Sequence, residues 1–63
     1  MFAEPLWKID LEAKHGETIF AVSQRVRAKD EAHARQCATE AANAELDGMG
    51  QVVRVVRVQH ITE

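Results

Sequence analysis

The most reactive side chains in this 63-residue chain are a single cysteine, Cys37, and three histidines. His33 and Cys37 are four positions apart, so a helix would place them one turn apart, and His60 could approach the same end of the molecule. Structural zinc sites use four ligands at paired spacings such as Cys-x-x-Cys, and the chain contains no such pair. The sequence therefore predicts no metal site and no cofactor.

Two carboxylates, Asp10 and Glu12, are spaced so that a strand would present both on one face. A shallow open sheet does not raise the pKa of a carboxylate enough for acid catalysis, and Cys37 in an alanine-rich helix is expected to be inert. The chain also lacks a glycine-rich phosphate loop, a Ser-His-Asp set and a His-Glu-x-x-His run. We therefore expect a protein that is not an enzyme and has no catalytic residues.

Length and composition predict one small domain over residues 1–63. The apolar fraction of 46% and the charged fraction of 29% are typical of globular proteins, and the net charge is −2. Much of the apolar fraction is alanine, so we expect a thin core that would gain from a partner or a second copy. One unpaired cysteine and no leader resembling a signal peptide indicate a cytoplasmic location. The apolar runs are too short for the ~20 residues of a membrane span.

Alternation predicts two strands joined as a hairpin. Trp7, Ile9, Leu11 and Ala13 alternate with charged residues in the first strand, and a turn containing Gly16 follows. The second strand runs from Thr18 to Ala28, with its apolar face interrupted by Gln24. The residues expected on its other face are Ile19, Ala21, Ser23, Arg25 and Arg27.

A helix is predicted from Glu31 to Leu46, because strong helix formers follow Asp30, which suits an N-cap. Glu31 in the first turn complements the helix dipole, and the glycines of Asp47-Gly48-Met49-Gly50 end the helix. A stripe of small residues would let this helix lie close on a sheet; its members are Ala34, Cys37, Ala38, Ala41, Ala42 and Leu46.

A valine-rich third strand follows from Val52 to about Ile61, and its alternation breaks between Arg54 and Val56, where we predict a β-bulge. A crossover helix after a hairpin makes the third strand antiparallel to the first. We therefore predict an α+β fold with the order ββαβ. Its three-stranded antiparallel sheet has the strand order 3-1-2, with one helix packed on one face.

This topology gathers basic residues at the pole where the second strand ends and the helix begins. The helix N-terminus adds partial positive charge there. Trp7 could stack on a ligand at that pole, but its spacing favours the core. Together with Arg54 on the third strand, the predicted partner-binding residues are Arg25, Arg27, Lys29, Arg35, Arg54 and Arg57.

Both outer strands are predicted to have free edges, and the edge from Val52 to Val58 is the more apolar. It could pair with a second copy to form a C2 dimer, or accept a strand from another protein. Alternatively, the bulge and the flanking Arg54 and Arg57 could keep the chain monomeric.

The order of hairpin, alanine-rich helix opening with Ala-Lys-Asp-Glu-Ala (residues 28–32), glycine break and valine strand resembles short phage and mobile-element proteins. Some anti-CRISPR proteins share this layout. The resemblance covers nearly the whole chain and carries over no individual residue. It implies a stoichiometric binder that blocks or redirects a host complex through its sheet face, edge or charged pole.

Our leading hypothesis is a non-catalytic protein-binding module, such as a phage-type inhibitor or regulator of a host complex. The alternative is a small nucleic-acid-binding protein that uses the basic pole. Binding to nucleic acid would weaken steeply with salt, whereas a protein interface with an apolar part would weaken less.

Overall fold

The computed structural model of the chain describes residues 3–62. Its elements are β1 (Leu6–His15), β2 (Thr18–Arg27), α1 (Glu31–Leu46) and β3 (Gln51–Ile61). The ββαβ order is as predicted, and the helix has the predicted bounds. The sheet order is β2-β1-β3, which confirms the predicted central position of the first strand.

A two-residue turn at Gly16 and Glu17 joins β1 to β2. Gly16 has a φ of 62°, and glycine at the first central position is typical of a type II′ hairpin turn. From this turn the two strands pair without interruption, from His15 opposite Thr18 to Leu6 opposite Arg27. The turn therefore sets which side chains of β1 and β2 share a face.

β3 pairs antiparallel with the other side of β1, and two bulges interrupt the pairing. The partner of Asp10 is Arg57 but the partner of Leu11 is Val55, which leaves Val56 as an extra residue. A second shift between Glu12 and Ala13 leaves Val53 extra in the same way. The predicted bulge near residues 54–56 is confirmed, and the bulge at Val53 was not predicted.

The helix begins with a side-chain cap. The Asp30 carboxylate accepts a hydrogen bond of 2.8 Å from the backbone N–H of His33, which confirms the predicted N-cap. At the other end Asp47 has a φ of 44° and its N–H bonds to the carbonyl oxygen of Asn43. This left-handed residue satisfies one of the last carbonyl groups and lets the chain turn toward β3.

The core lies between α1 and the central strand. Ile9 and Leu11 are the largest fully buried side chains, and both belong to one cluster with Ala28, Ala34 and Ala38. The predicted helix stripe is found here: Ala34, Ala38 and Ala42 are buried, and Cys37, Ala41 and Leu46 are half-buried. Because alanine has little area to bury, this core is thin.

The molecule is long and narrow, with extents of 44 × 19 × 17 Å. Its radius of gyration is 12.1 Å, above the roughly 11 Å expected of a compact domain of this length. A single helix covers one face of the sheet, and the opposite face is uncovered over residues 3–62. No helix in this range is long and apolar enough to cross a membrane.

Candidate binding surface

The face of the sheet that points away from α1 is strongly charged, and we call it the open face. It holds one row of side chains from each strand, because successive residues point to opposite faces. The rows are Leu6, Lys8, Asp10, Glu12 and Lys14 on β1; Ile19, Ala21, Ser23, Arg25 and Arg27 on β2; and Gln51, Arg54, Arg57, Gln59 and Ile61 on β3.

In the middle of the open face, charges are matched across strands. Arg54 donates a hydrogen bond to Glu12 and forms an ion pair with it. This hydrogen bond lowers the pKa of Glu12 below its usual value of 4.5 and raises the pKa of Arg54. In the neighbouring position Ser23 Oγ donates to Asp10 Oδ1 at 2.8 Å. Both carboxylates of the central row therefore have partners on adjacent strands.

Toward the pole where β2 ends, cations are instead placed together. Lys8 lies directly opposite Arg25 in the β1–β2 register, and Arg27 follows on the same row. Arg57 lies across from Asp10 on the other side of β1. Within the described chain, Lys8, Arg25 and Arg57 form no ion pair. We call Lys8, Arg25, Arg27 and Arg57 the cationic cluster.

This arrangement has a stability cost, since like charges directly opposite each other in a sheet are destabilising. The position of Arg27 is held by a hydrogen bond of 3.0 Å from its guanidinium to the carbonyl oxygen of Glu4. Lys8 and Arg25 have no comparable contact within residues 3–62. The cluster is therefore a place where an external anion or acidic side chain would relieve repulsion.

The six predicted binding residues do not form one site. Arg25, Arg27 and Arg57 belong to the cationic cluster, whereas Arg54 is on the open face but neutralised by Glu12. Arg35 lies on α1 and pairs with Glu31 at 3.3 Å. Lys29 lies in the exposed segment between β2 and α1.

Sequence analysis did not single out Lys8, which is one of the charged residues that alternate with the apolar residues of the first strand. The signal that could have found it is the two-residue turn at Gly16 and Glu17. That turn pairs His15 with Thr18. Counting away from the turn, seven residues along each strand, pairs Lys8 with Arg25.

The covered face at the same pole holds Trp7. Its Nε1 donates to the carbonyl oxygen of Ala28 at 3.0 Å, and its ring centroid lies 5.1 Å from that of His60. The side chain is half-buried and packs against the core cluster, so Trp7 lies on the core side of the sheet, as its spacing predicted. Trp7 therefore faces away from the cationic cluster.

The three residues considered as metal ligands make separate contacts. The Nδ1 atom of His33 accepts a hydrogen bond of 3.3 Å from the N–H of Lys29, and His60 contacts Trp7. Cys37 is half-buried on the helix. Among residues 3–62, no three His, Cys, Asp or Glu side chains are grouped to hold a metal ion, and no enclosed cavity forms.

The outer edge of β2 is formed by the backbone groups of every second residue of the strand. In a hairpin closed by a two-residue turn, the residues beside the turn form a hydrogen-bonded pair, and such pairs then alternate. Thr18 and every second residue after it thus direct their backbone groups to β1, and the N–H of Ala28 continues this pattern by donating to Pro5 at 3.1 Å. The backbone groups of Ile19, Ala21, Ser23, Arg25 and Arg27 consequently face outward.

No protein-family model, curated protein or solved structure matches the chain. The likeness to phage and mobile-element proteins is one of layout and stays a prediction.

Proposed function

We propose that this protein is a non-catalytic protein-binding module that uses its cationic cluster to hold an acidic surface of a partner protein. The observation that carries the proposal is the placement of Lys8 opposite Arg25 without an acidic partner among the described residues. A sheet that keeps such a pair forgoes stability. Binding of an acidic partner would explain why the pair is tolerated, since stability is commonly traded for function at binding sites.

The surroundings of the cluster favour a protein partner over nucleic acid. Asp10 and Glu12 occupy the next two positions on the central row, so a polyanion lying along the open face would meet both carboxylates. The rows of the open face contain no aromatic residue, whereas modules for single-stranded nucleic acid stack bases on aromatic side chains. The surface of a partner protein can present acidic side chains to the cationic cluster and a basic side chain near Glu12.

The proposal extends to the biological role. A small chain with one binding surface suits a stoichiometric inhibitor or regulator, as the phage and anti-CRISPR-like layout implies. Cys37 forms no disulfide, which suits the reducing environment of the cytoplasm. We accordingly place the interaction in the cytoplasm of a bacterial host.

The test is an affinity pull-down from bacterial lysate, run with and without nuclease, with the wild type and two charge-matched variants. The cluster variant is Lys8→Gln/Arg25→Gln, and the control is Lys14→Gln/Arg35→Gln, which removes the same charge elsewhere. We expect the wild type and the control to retain one protein in near-stoichiometric amount and the cluster variant to lose it.

Thermal unfolding of the same variants provides an independent readout. Because the cluster variant removes a like-charged pair, it is expected to be as stable as the wild type or more stable by a few tenths of a kcal/mol. Loss of binding together with unchanged or raised stability supports the proposal. Equal binding by the cluster variant, or no retained protein at all, would contradict the proposal. Retention that nuclease abolishes would also contradict it and would favour binding to nucleic acid.

A further inference from the structure

The free edge of β2 is the longest uninterrupted hydrogen-bonding surface that the described residues leave open. We propose that a second copy of this chain pairs with β2 in antiparallel orientation, with Ser23 opposite Ser23 of the second copy. The pairing joins two three-stranded sheets into one six-stranded sheet. This inference does not depend on the proposed function.

Backbone geometry selects β2 over β3. β2 pairs with β1 over ten residues without a register shift, so its outward N–H and C=O groups are regularly spaced for a new strand. β3 has register shifts at Val53 and Val56, and bulges disrupt the regular ladder that an added strand requires.

The open-face side chains fit this register. With Ser23 on the two-fold axis, Arg25 lies opposite Ala21 of the second copy and Arg27 opposite Ile19. No like charges oppose each other across the new pairing. Ile19 is 60% exposed, and the aliphatic stem of an arginine opposite would cover it.

The covered face argues for the same register. Phe20, Val22 and Val26 are only half-buried, because one alanine-rich helix covers the β2 edge incompletely. The proposed pairing sets Phe20 opposite Val26 of the second copy at two symmetric places, and aromatic–β-branched pairs stabilise sheets. Moving the two-fold axis one residue toward the turn would set Phe20 opposite Gln24, and moving it one residue the other way would set Gln24 opposite itself.

The two-fold axis of this dimer is perpendicular to the sheet, so both copies of α1 lie on one side and both cationic clusters on the other. The two Arg25 positions are four residues apart along the paired strands, about 13 Å at the usual strand rise. The dimer thus presents one broad cationic surface built from two chains.

The register is tested by disulfide trapping in a Cys37→Ala background. Residues that form a hydrogen-bonded pair have Cα atoms about 5.5 Å apart, within the range of a disulfide. Ser23→Cys is therefore expected to form a covalent dimer on mild oxidation. Ala21→Cys is the matched control, because the two copies of residue 21 are offset by four residues and cannot be bridged. Equal trapping of both variants, or of neither, would overturn the proposed register.

Sedimentation equilibrium tests the edge itself. Ala21→Pro removes an outward N–H and leaves the bonds to β1 in place. It is expected to keep the wild-type circular dichroism spectrum and to weaken dimerisation at least about tenfold, which is the loss of 1.4 kcal/mol. The control Val56→Lys charges the β3 edge and should dimerise like the wild type. A monomeric wild type, or dimerisation lost only in Val56→Lys, would overturn the proposal.

Discussion

The two outer strands differ in valine content and, with more consequence for pairing, in backbone regularity. β2 matches β1 residue for residue, whereas β3 uses the eleven residues Gln51–Ile61 against the nine residues from Leu6 to Lys14. β3 is richer in valine, which made its edge the more obvious surface for pairing. Its two bulges interrupt the regular ladder that an added strand requires, so backbone regularity favours β2 as a template although β3 has more valine.

The bulges of β3 follow a three-residue repeat, Val-Val-Arg, that occurs twice from Val52 to Arg57. In each unit one valine faces the core, one arginine lies opposite an acid of β1, and one valine is the extra residue. The strand thus keeps its core contacts and sets both arginines opposite acids of β1 despite the mismatch with a period of two, and Arg54 forms an ion pair with its acid. The exposed valines, Val53 and Val56, are the result.

The largest expected effect is at the central strand, on which both edges depend. Leu11 is 1% exposed and lies opposite Val22 on β2 and Val55 on β3. Leu11→Ala is expected to lower the free energy of unfolding by about 2–4 kcal/mol, because it leaves a cavity between the sheet and α1. Urea unfolding measures this loss. A loss below about 1 kcal/mol would mean that burial of Leu11 contributes little to holding β2 and β3 in the sheet.

The turns that lead into the two edges provide the next contrast. A Cβ on Gly16 would meet open space, whereas a Cβ on Gly50, at a φ of 148°, would lie 3.1 Å from the carbonyl oxygen of Lys14. Gly16→Ala is expected to cost about 1–2 kcal/mol from backbone strain alone, and Gly50→Ala about 1 kcal/mol more. Thermal unfolding of the pair checks the order. The reverse order would contradict the close approach at Gly50.

Adjacent valines of β3 test the bulges directly. Val55 packs against the core cluster, whereas Val56 is 51% exposed. Val55→Ala is expected to destabilise the protein by about 1 kcal/mol, and Val56→Ala by less than about 0.5 kcal/mol. Chemical denaturation separates the two. Equal losses would show that β3 pairs with β1 in a different register.

The smallest effect concerns the ion pair that ties β3 to β1. The hydrogen bond from Arg54 lowers the pKa of Glu12. The stability that this bond contributes to the folded protein is therefore present above pH 4.5 and is lost as the pH falls through the lowered pKa of Glu12. Arg54→Gln is expected to raise the pKa of Glu12 toward 4.5, as measured by an NMR titration of its carboxyl group.

The control for this titration is Arg57→Gln, since Arg57 lies opposite Asp10 and forms no ion pair with Glu12. It should leave the pKa of Glu12 nearly unchanged. A pKa that responds equally to both substitutions would mean that Glu12 senses the general positive field of the open face and not a specific bond.

Much of the fold could be predicted because its signals are local. The cap at Asp30 and the helix formers after it define α1, and the alternation from Trp7 to Ala13 defines the central strand. The strand order then follows from the connection rules for a hairpin and a crossover helix. The bulge at Val53 could not be predicted in the same way, because Val52 and Val53 are chemically alike and only pairing with β1 distinguishes them.

The candidate surface was less predictable than the fold. Arg25, Arg27 and Arg57 were recognised by their charge, but so were Arg35 and Arg54, which have acidic partners. Whether a charge is matched depends on the bond that its side chain forms. Arg54 and Arg57 both lie opposite acids of β1, but within the described residues only Arg54 pairs with its acid. Simple proximity to a pole does not contain that information.

The sequence by itself determined the elements, the core stripe of α1 and the two-sided character of each strand, since these depend on residues close together in the chain. Only the tertiary structure decided that Lys8 lies opposite Arg25, that Glu12 receives Arg54, and that β2 keeps a regular free edge. These features depend on register, which is set by the hairpin turn on one side of β1 and by two bulges on the other.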